Sequence, residues 1–151
     1  MKTVKKLEIR SRRVALEAAD SKVPYGEPVR EPKDAASIAA ALLEGEDQEV
    51  FLAFPLDIKN RVLGYTEVAR GGIDSCSVDP RQVFRTAVML GASTVIVVHN
   101  HPSGDPTPSR EDVALTERLV AAGKVLGIPV LDHVVVADDR TYSFREQGVL
   151  R

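Results

Sequence analysis

Five β-branched residues in a row, Thr94-Val95-Ile96-Val97-Val98, constrain this chain more than any other feature. Branching at Cβ stiffens χ1 and suits a pleated surface, so the run reads as a strand. Successive side chains in a strand point to opposite faces. A strand apolar on both faces must be covered on both, which is the situation of a central strand between layers of helix.

The flanking sequence supplies those layers. Asp34 reads as a helix N-cap, with Ala35, Ile38, Ala39, Leu42 and Leu43 on one 3.6-period face and Gly45 as the stop. Val50-Phe51-Leu52-Ala53-Phe54 is a short apolar run, residues 57–60 read as a turn, and residues 61–68 resume as a strand, giving a hairpin. Asp79-Pro80 caps a second helix carrying Val83, Ala87, Val88 and Leu90, which Gly91 ends. After a proline-broken loop at 102–108, a helix is expected from about Arg110 to Leu126, with Gly127 as its stop. Residues 130–137 read as a strand, 138–140 as a turn and 141–145 as a last strand. Strands and helices mixed in this way, with hairpins, imply an α/β fold with a mixed sheet and flanking helices.

At 151 residues the chain is one ordinary domain, able to fold without a disulfide or a structural metal. Residues 1–33 are expected to form an arm packing on a domain at 34–151, and alternation at 4–10 suggests a short strand in that arm. Its lysines and arginines read as a solvated charge run. No apolar run approaches the ~20 residues of a membrane helix. The start, Met1-Lys2-Thr3-Val4-Lys5-Lys6, has no apolar stretch behind its charges, so no signal peptide is expected and a cytoplasmic location is. The net charge of −2, three tyrosines, four phenylalanines and no tryptophan argue against a broad nucleic-acid stacking platform. One cysteine, Cys76, cannot form an intramolecular disulfide.

Chemistry concentrates where the β-branched run ends. Two of the three histidines stand as His99-Asn100-His101. Residues i and i+2 of a strand share a face, so both imidazoles project together at its carboxyl end, a pairing suited to a transition metal. The plainer alternative is two polar residues at a loop mouth. Ser109-Arg110-Glu111-Asp112 then has the spacing of a capping box, in which Ser109 and Asp112 only satisfy orphan amides of the next helix. The same spacing puts the Asp112 carboxylate at that helix start, facing the loop that leaves the histidines. A His, His, Asp set leaves zinc one open tetrahedral position, the pattern of a catalytic site. Asp105 is a rival third ligand, and Cys76 a more distant candidate for a fourth.

His99-x-His101, seven residues, Ser109, two residues and Asp112 together resemble the JAMM motif of the MPN domain metalloproteases. The longer string from Val98 through His101-Pro102-Ser103-Gly104-Asp105 to Asp112 is similar to the RadC branch, as are Asp79-Pro80-Arg81 and Leu131-Asp132-His133. The likeness covers residues 34–148 and implies the layered α/β/α arrangement shared with cytidine deaminases. It also implies that His99, His101 and Asp112 hold zinc, that Ser109 helps to stabilise an oxyanion, and that an upstream glutamate is the general base. Glu49, just before an apolar run, matches that place; Glu67 is the alternative. Glu111 is expected to face solvent. RadC chains typically carry an N-terminal helix-hairpin-helix region, for which the residues preceding this domain are too few. Where relatives have Gly-Thr after the hairpin, this chain has Gly71-Gly72.

The implied activity is zinc-dependent hydrolysis of a peptide or isopeptide bond in a peptide or protein substrate. Zinc would lower the pKa of its bound water toward about 7 and Glu49 would take the proton. The rivals are a DNA-repair-associated nucleic-acid binder or nuclease, and a non-catalytic zinc module that recognises a partner. His133 reads as a structural residue of a half-buried strand.

Overall fold

The structure, a computed structural model, describes residues 3–6, 26–73 and 77–150. Three helices and five strands alternate along it: α1 (Pro32–Leu42), β1 (Val50–Leu56), β2 (Thr66–Arg70), α2 (Pro80–Met89), β3 (Thr94–Asn100), α3 (Arg110–Leu126), β4 (Val130–Ala137) and β5 (Arg140–Ser143). The strands form one mixed sheet in the order β2-β1-β3-β4-β5. The β-branched run is β3, and it takes the middle place. β3 and β4 run parallel, joined by α3, whereas β1 is antiparallel to β2 and β3, and β4 is antiparallel to β5.

Strand alternation divides the apolar residues between two cores. Phe51, Ala53, Val95, Val97 and Val135 face α2 and α3, where Phe84, Leu115 and Leu119 meet them. Leu52, Phe54, Ile96, Val98 and Val134 face α1, where Ile38 and Ala39 meet them. Fully burying a side chain of this size stabilises by about 1.5–3 kcal/mol, so the two cores rather than helix propensity hold the layers together. α2 begins as its sequence requires: the Asp79 carboxylate accepts the Arg81 amide, and Pro80 stands at the first helical position. α3 ends at Gly127, whose φ of 71° is the left-handed cap conformation.

Three expectations change. α1 starts at Pro32, and Asp34 sits in its first turn, where one carboxylate oxygen accepts the amides of Arg30 and Glu31. Asp34 therefore satisfies orphan donors, but from inside the helix. The strand expected at 61–68 comes in two pieces, an isolated pairing of Val62 with Leu56 and then β2 from Thr66. A bulge between Phe51 and Leu52 re-aims the β1–β2 pairing. β4 is buried on both faces rather than half-buried, because α1 covers one side and α3 the other.

Most of the N-terminal arm, including most of the strand expected at 4–10, and Cys76 lie outside the described residues. Among the described residues no helix is long and apolar enough to cross a membrane.

Candidate metal centre

The register of the central strands assembles the site. β1 runs antiparallel to β3 with Phe51 opposite His99. Continuing that register by two residues sets Glu49 across from His101. Asn100, between the histidines, clamps the two strand ends. Its side-chain oxygen accepts the Val50 amide at 2.7 Å, and its side-chain nitrogen donates to the Gln48 carbonyl at 2.9 Å. Sequence reasoning passed over Asn100, although its place between two same-face histidines points its side chain the other way along the pleat.

His99 is fully buried and His101 lies at the rim of the cleft with 11% of its side chain exposed. Their Nε2 atoms are 2.9 Å apart. Asp112 closes the group, with Oδ1 3.3 Å from His99 Nε2 and Oδ2 3.2 Å from His101 Nε2. Glu49 Oε1 stands 3.8 Å from His101 Nε2, while Oε2 accepts the Ile73 amide at 3.1 Å. One oxygen of Glu49 is thus tied to the backbone and the other faces the cluster.

Ser109 and Asp112 do form the capping box of α3. Ser109 Oγ accepts the Asp112 amide at 3.0 Å, and Asp112 Oδ2 accepts the Ser109 amide at 2.8 Å. The two readings of that spacing are compatible. Capping occupies one oxygen of Asp112 and a lone pair of Ser109, leaving Oδ1 aimed at His99 and the exposed Ser109 hydroxyl proton uncommitted to the cap. Burial pulls the Asp112 carboxyl upward, and the Ser109 amide donated to Oδ2 opposes it, the group lying below the usual carboxylate range. Asp112 is accordingly an anion in the folded protein.

The alternatives are placed elsewhere. The Asp105 carboxylate accepts the Thr107 amide within its own loop. What Asp105 gives the site is its backbone carbonyl, which accepts a hydrogen bond from His101 Nδ1 at 2.8 Å. A carbonyl cannot donate, so His101 carries a proton on Nδ1, and in the neutral ring Nε2 presents a lone pair to the cluster. Glu67 is exposed on β2 and pairs with Arg70, which also holds Glu46. Glu111 faces solvent in the first turn of α3.

His133 is not an isolated core histidine. Its Nε2 lies 2.8 Å from His99 Nδ1, and its Nδ1 lies 2.6 Å from the Thr116 hydroxyl. Its ring stacks on Phe144 with centroids 4.6 Å apart and planes 6° off parallel. Complete burial pushes its imidazole well below the ordinary histidine range, so it is neutral. The signals that could have found this row were the four-residue spacing of Asp112 and Thr116, which puts both on one helix face, and the parity that sets His133 on the same face as Val135.

His99, His101 and Asp112 form a group that could hold a metal ion, with ligand atoms all within 4.8 Å of one another. Tetrahedral zinc with bonds of about 2.0–2.1 Å sets its ligand atoms roughly 3.3 Å apart; here the two Nε2 atoms are 2.9 Å apart and Asp112 Oδ1 is 3.3 Å from His99 Nε2. Two imidazoles and one carboxylate also match the donor count of zinc sites that keep a position open.

Residues 29–149 match the RadC-like JAB domain family. Among curated proteins the chain is 42% identical over 139 residues to a UPF0758 protein of Desulforamulus reducens, covering 92% of this chain and 60% of that one. A UPF0758 protein of Clostridium perfringens is 43% identical over 122 residues, covering 81% and 54% of the two chains. Another, from Caldanaerobacter subterraneus, is 44% identical over 120 residues, covering 80% and 52%. The chain therefore spans between half and three-fifths of the length of these relatives. With residues 29–149 matched and the mixed five-stranded sheet in place, the chain belongs to the RadC-like JAB domain family.

Proposed function

We propose that this domain is a zinc-dependent hydrolase of peptide or isopeptide bonds. The observation that carries the reading is the convergence of His99, His101 and Asp112 on one point, with the free oxygen of Glu49 beside it. Zinc bound there would supply Lewis-acid chemistry, polarising a carbonyl and lowering the pKa of a coordinating water toward about 7.

The protein's own groups have separate parts. Asp112 is held as an anion by its cap, so the site has a negative charge to offset the cation. Glu49 is oriented by the Ile73 amide, and its second oxygen is placed to accept a proton from the attacking water and pass it to the leaving amine. The Ser109 hydroxyl, whose lone pair is engaged by the Asp112 amide, can donate its proton to the developing oxyanion.

The test is a screen of the zinc-loaded chain against peptides and isopeptide-linked conjugates, with Glu49→Gln alongside. The expected result is cleavage by the wild type and a roughly 10²- to 10⁴-fold lower rate in a variant that still holds zinc. Zinc retention in both with no cleavage by either would instead favour a non-catalytic zinc module. Affinity for DNA that falls steeply with salt would favour nucleic-acid work.

A further inference from the structure

We infer that His133 and Thr116 are a positioning pair that holds His99 in the one tautomer able to present Nε2 to a metal, an inference that rests on the zinc-site reading above. The order of protons follows from one fixed end. The Asp112 carbonyl has no proton to give, so the Thr116 hydroxyl donates to it at 2.7 Å. That leaves lone pairs on Thr116 Oγ1 for His133 Nδ1 at 2.6 Å, so the His133 proton is on Nδ1. A neutral imidazole protonated at Nδ1 has a bare Nε2, and this accepts the proton of His99 Nδ1 at 2.8 Å. His99 Nε2 is then bare as well, and it is the atom that faces Asp112 Oδ1.

The opposite order closes only without a metal. With its proton on Nε2, His133 would meet His99 Nδ1 donor to donor unless His99 moved its own proton to Nε2. That proton would sit where a metal must. One residue anchors both ends of the device, since Asp112 gives its carboxylate to the cluster and its backbone carbonyl to the relay. Stacking of His133 on Phe144 fixes the ring plane that the chain of bonds needs. His101 reaches the same state independently through the Asp105 carbonyl.

The test uses the full chain with ¹⁵N-labelled histidine. Long-range ¹H–¹⁵N spectra report which ring nitrogen of each histidine carries a proton, and chelator competition gives the zinc Kd. In the wild type the proton of His133 should be on Nδ1, with and without zinc. Thr116→Val should move it to Nε2 and weaken zinc binding about 10- to 100-fold. Thr116→Ser, which keeps the hydroxyl, should restore both. His133→Phe preserves ring volume and should weaken zinc binding by a similar factor, whereas His133→Gln, whose amide oxygen can accept from His99, should recover part of it.

A His133 proton on Nε2 in the wild type would overturn the inference. So would a Thr116→Val protein with lowered Tm but unaltered His133 tautomer and zinc Kd, since that is what a packing role predicts. If the wild type takes up no zinc, the hydrolase reading fails, and the proton position of His133 still decides the relay.

Discussion

Asp132 and His133 are neighbours on β4, both buried, and they face opposite sides of the sheet. On the α1 side, Asp132 is a closed knot. Its oxygens accept from the Ser143 hydroxyl at 2.6 Å, the His133 amide at 2.7 Å and the Arg145 amide at 3.0 Å, so every acceptor meets a donor. On the α3 side, the hydrogen bonds starting at the Asp112 carbonyl run through Thr116 and His133 to His99 and so reach the candidate metal centre. On the relay inferred above, two bare imidazole nitrogens and a carboxylate meet there, a set that a cation would satisfy. A closed polar knot braces a fold, and an open one of pure acceptors marks a site.

The sharpest way to break the comparison is to remove one member from each side. His99→Ala or Asp112→Ala should abolish zinc binding and hydrolysis together. Asp132→Ala should leave zinc stoichiometry intact and lower stability by about 3 kcal/mol, because buried donors left unpaired cost roughly 1–3 kcal/mol each. Denaturant melts beside elemental analysis would show the split, and loss of zinc in Asp132→Ala would erase it.

Ser109 tests whether one residue serves both purposes. Ser109→Ala should lower kcat by roughly 10²- to 10³-fold as an oxyanion donor is lost. It should also cost about 1 kcal/mol of stability as the α3 cap is lost. Stability loss alone, with kcat unchanged, would make Ser109 a cap and nothing more.

Gly104 probes the loop that carries the chain from His101 to Ser109. Its φ is +87°, a Cβ there would lie 2.8 Å from Asp138 Oδ2, and its carbonyl accepts from Arg140. Gly104→Ala should cost roughly 1–3 kcal/mol in strain and weaken zinc binding a few-fold as the loop shifts. A zinc Kd equal to that of the wild type would show that the loop does not set the ligands.

The smallest effect expected is on pH dependence. Burial raises the Asp132 pKa against its three hydrogen-bond donors. A carboxyl with a raised folded pKa contributes stability that is fully present below its unfolded value, about 3.9, and lost as pH rises through the folded value. Asp132→Asn cannot titrate, so its Tm should fall less than that of the wild type between pH 4 and pH 7. Parallel Tm profiles would mean that Asp132 contributes no proton linkage.

Much of the candidate site was legible because its spacing is local. His99 and His101 share a face by strand parity, and the Ser109–Asp112 capping spacing fixes a helix start. Glu49 came from family likeness, yet its placement is physical, following from the antiparallel register of β1 against β3. The misreadings were tertiary. His133 looked half-buried because its own strand cannot say that helices cover both faces. Residues 63–65 looked like strand because apolar pattern does not report where pairing lapses. Asp34 looked like a cap because it does bind orphan amides, though Pro32 starts the helix earlier.

The central claim is that the open acceptors at the end of β3 hold a metal. Elemental mass spectrometry on protein purified without affinity tag or chelator, beside His99→Ala and Asp112→Ala, tests it most directly. Close to one zinc per chain in the wild type and none in either variant is the expected result. No zinc in the wild type, and none taken up when zinc is added, would contradict it and leave Ser109 and Asp112 as a helix cap.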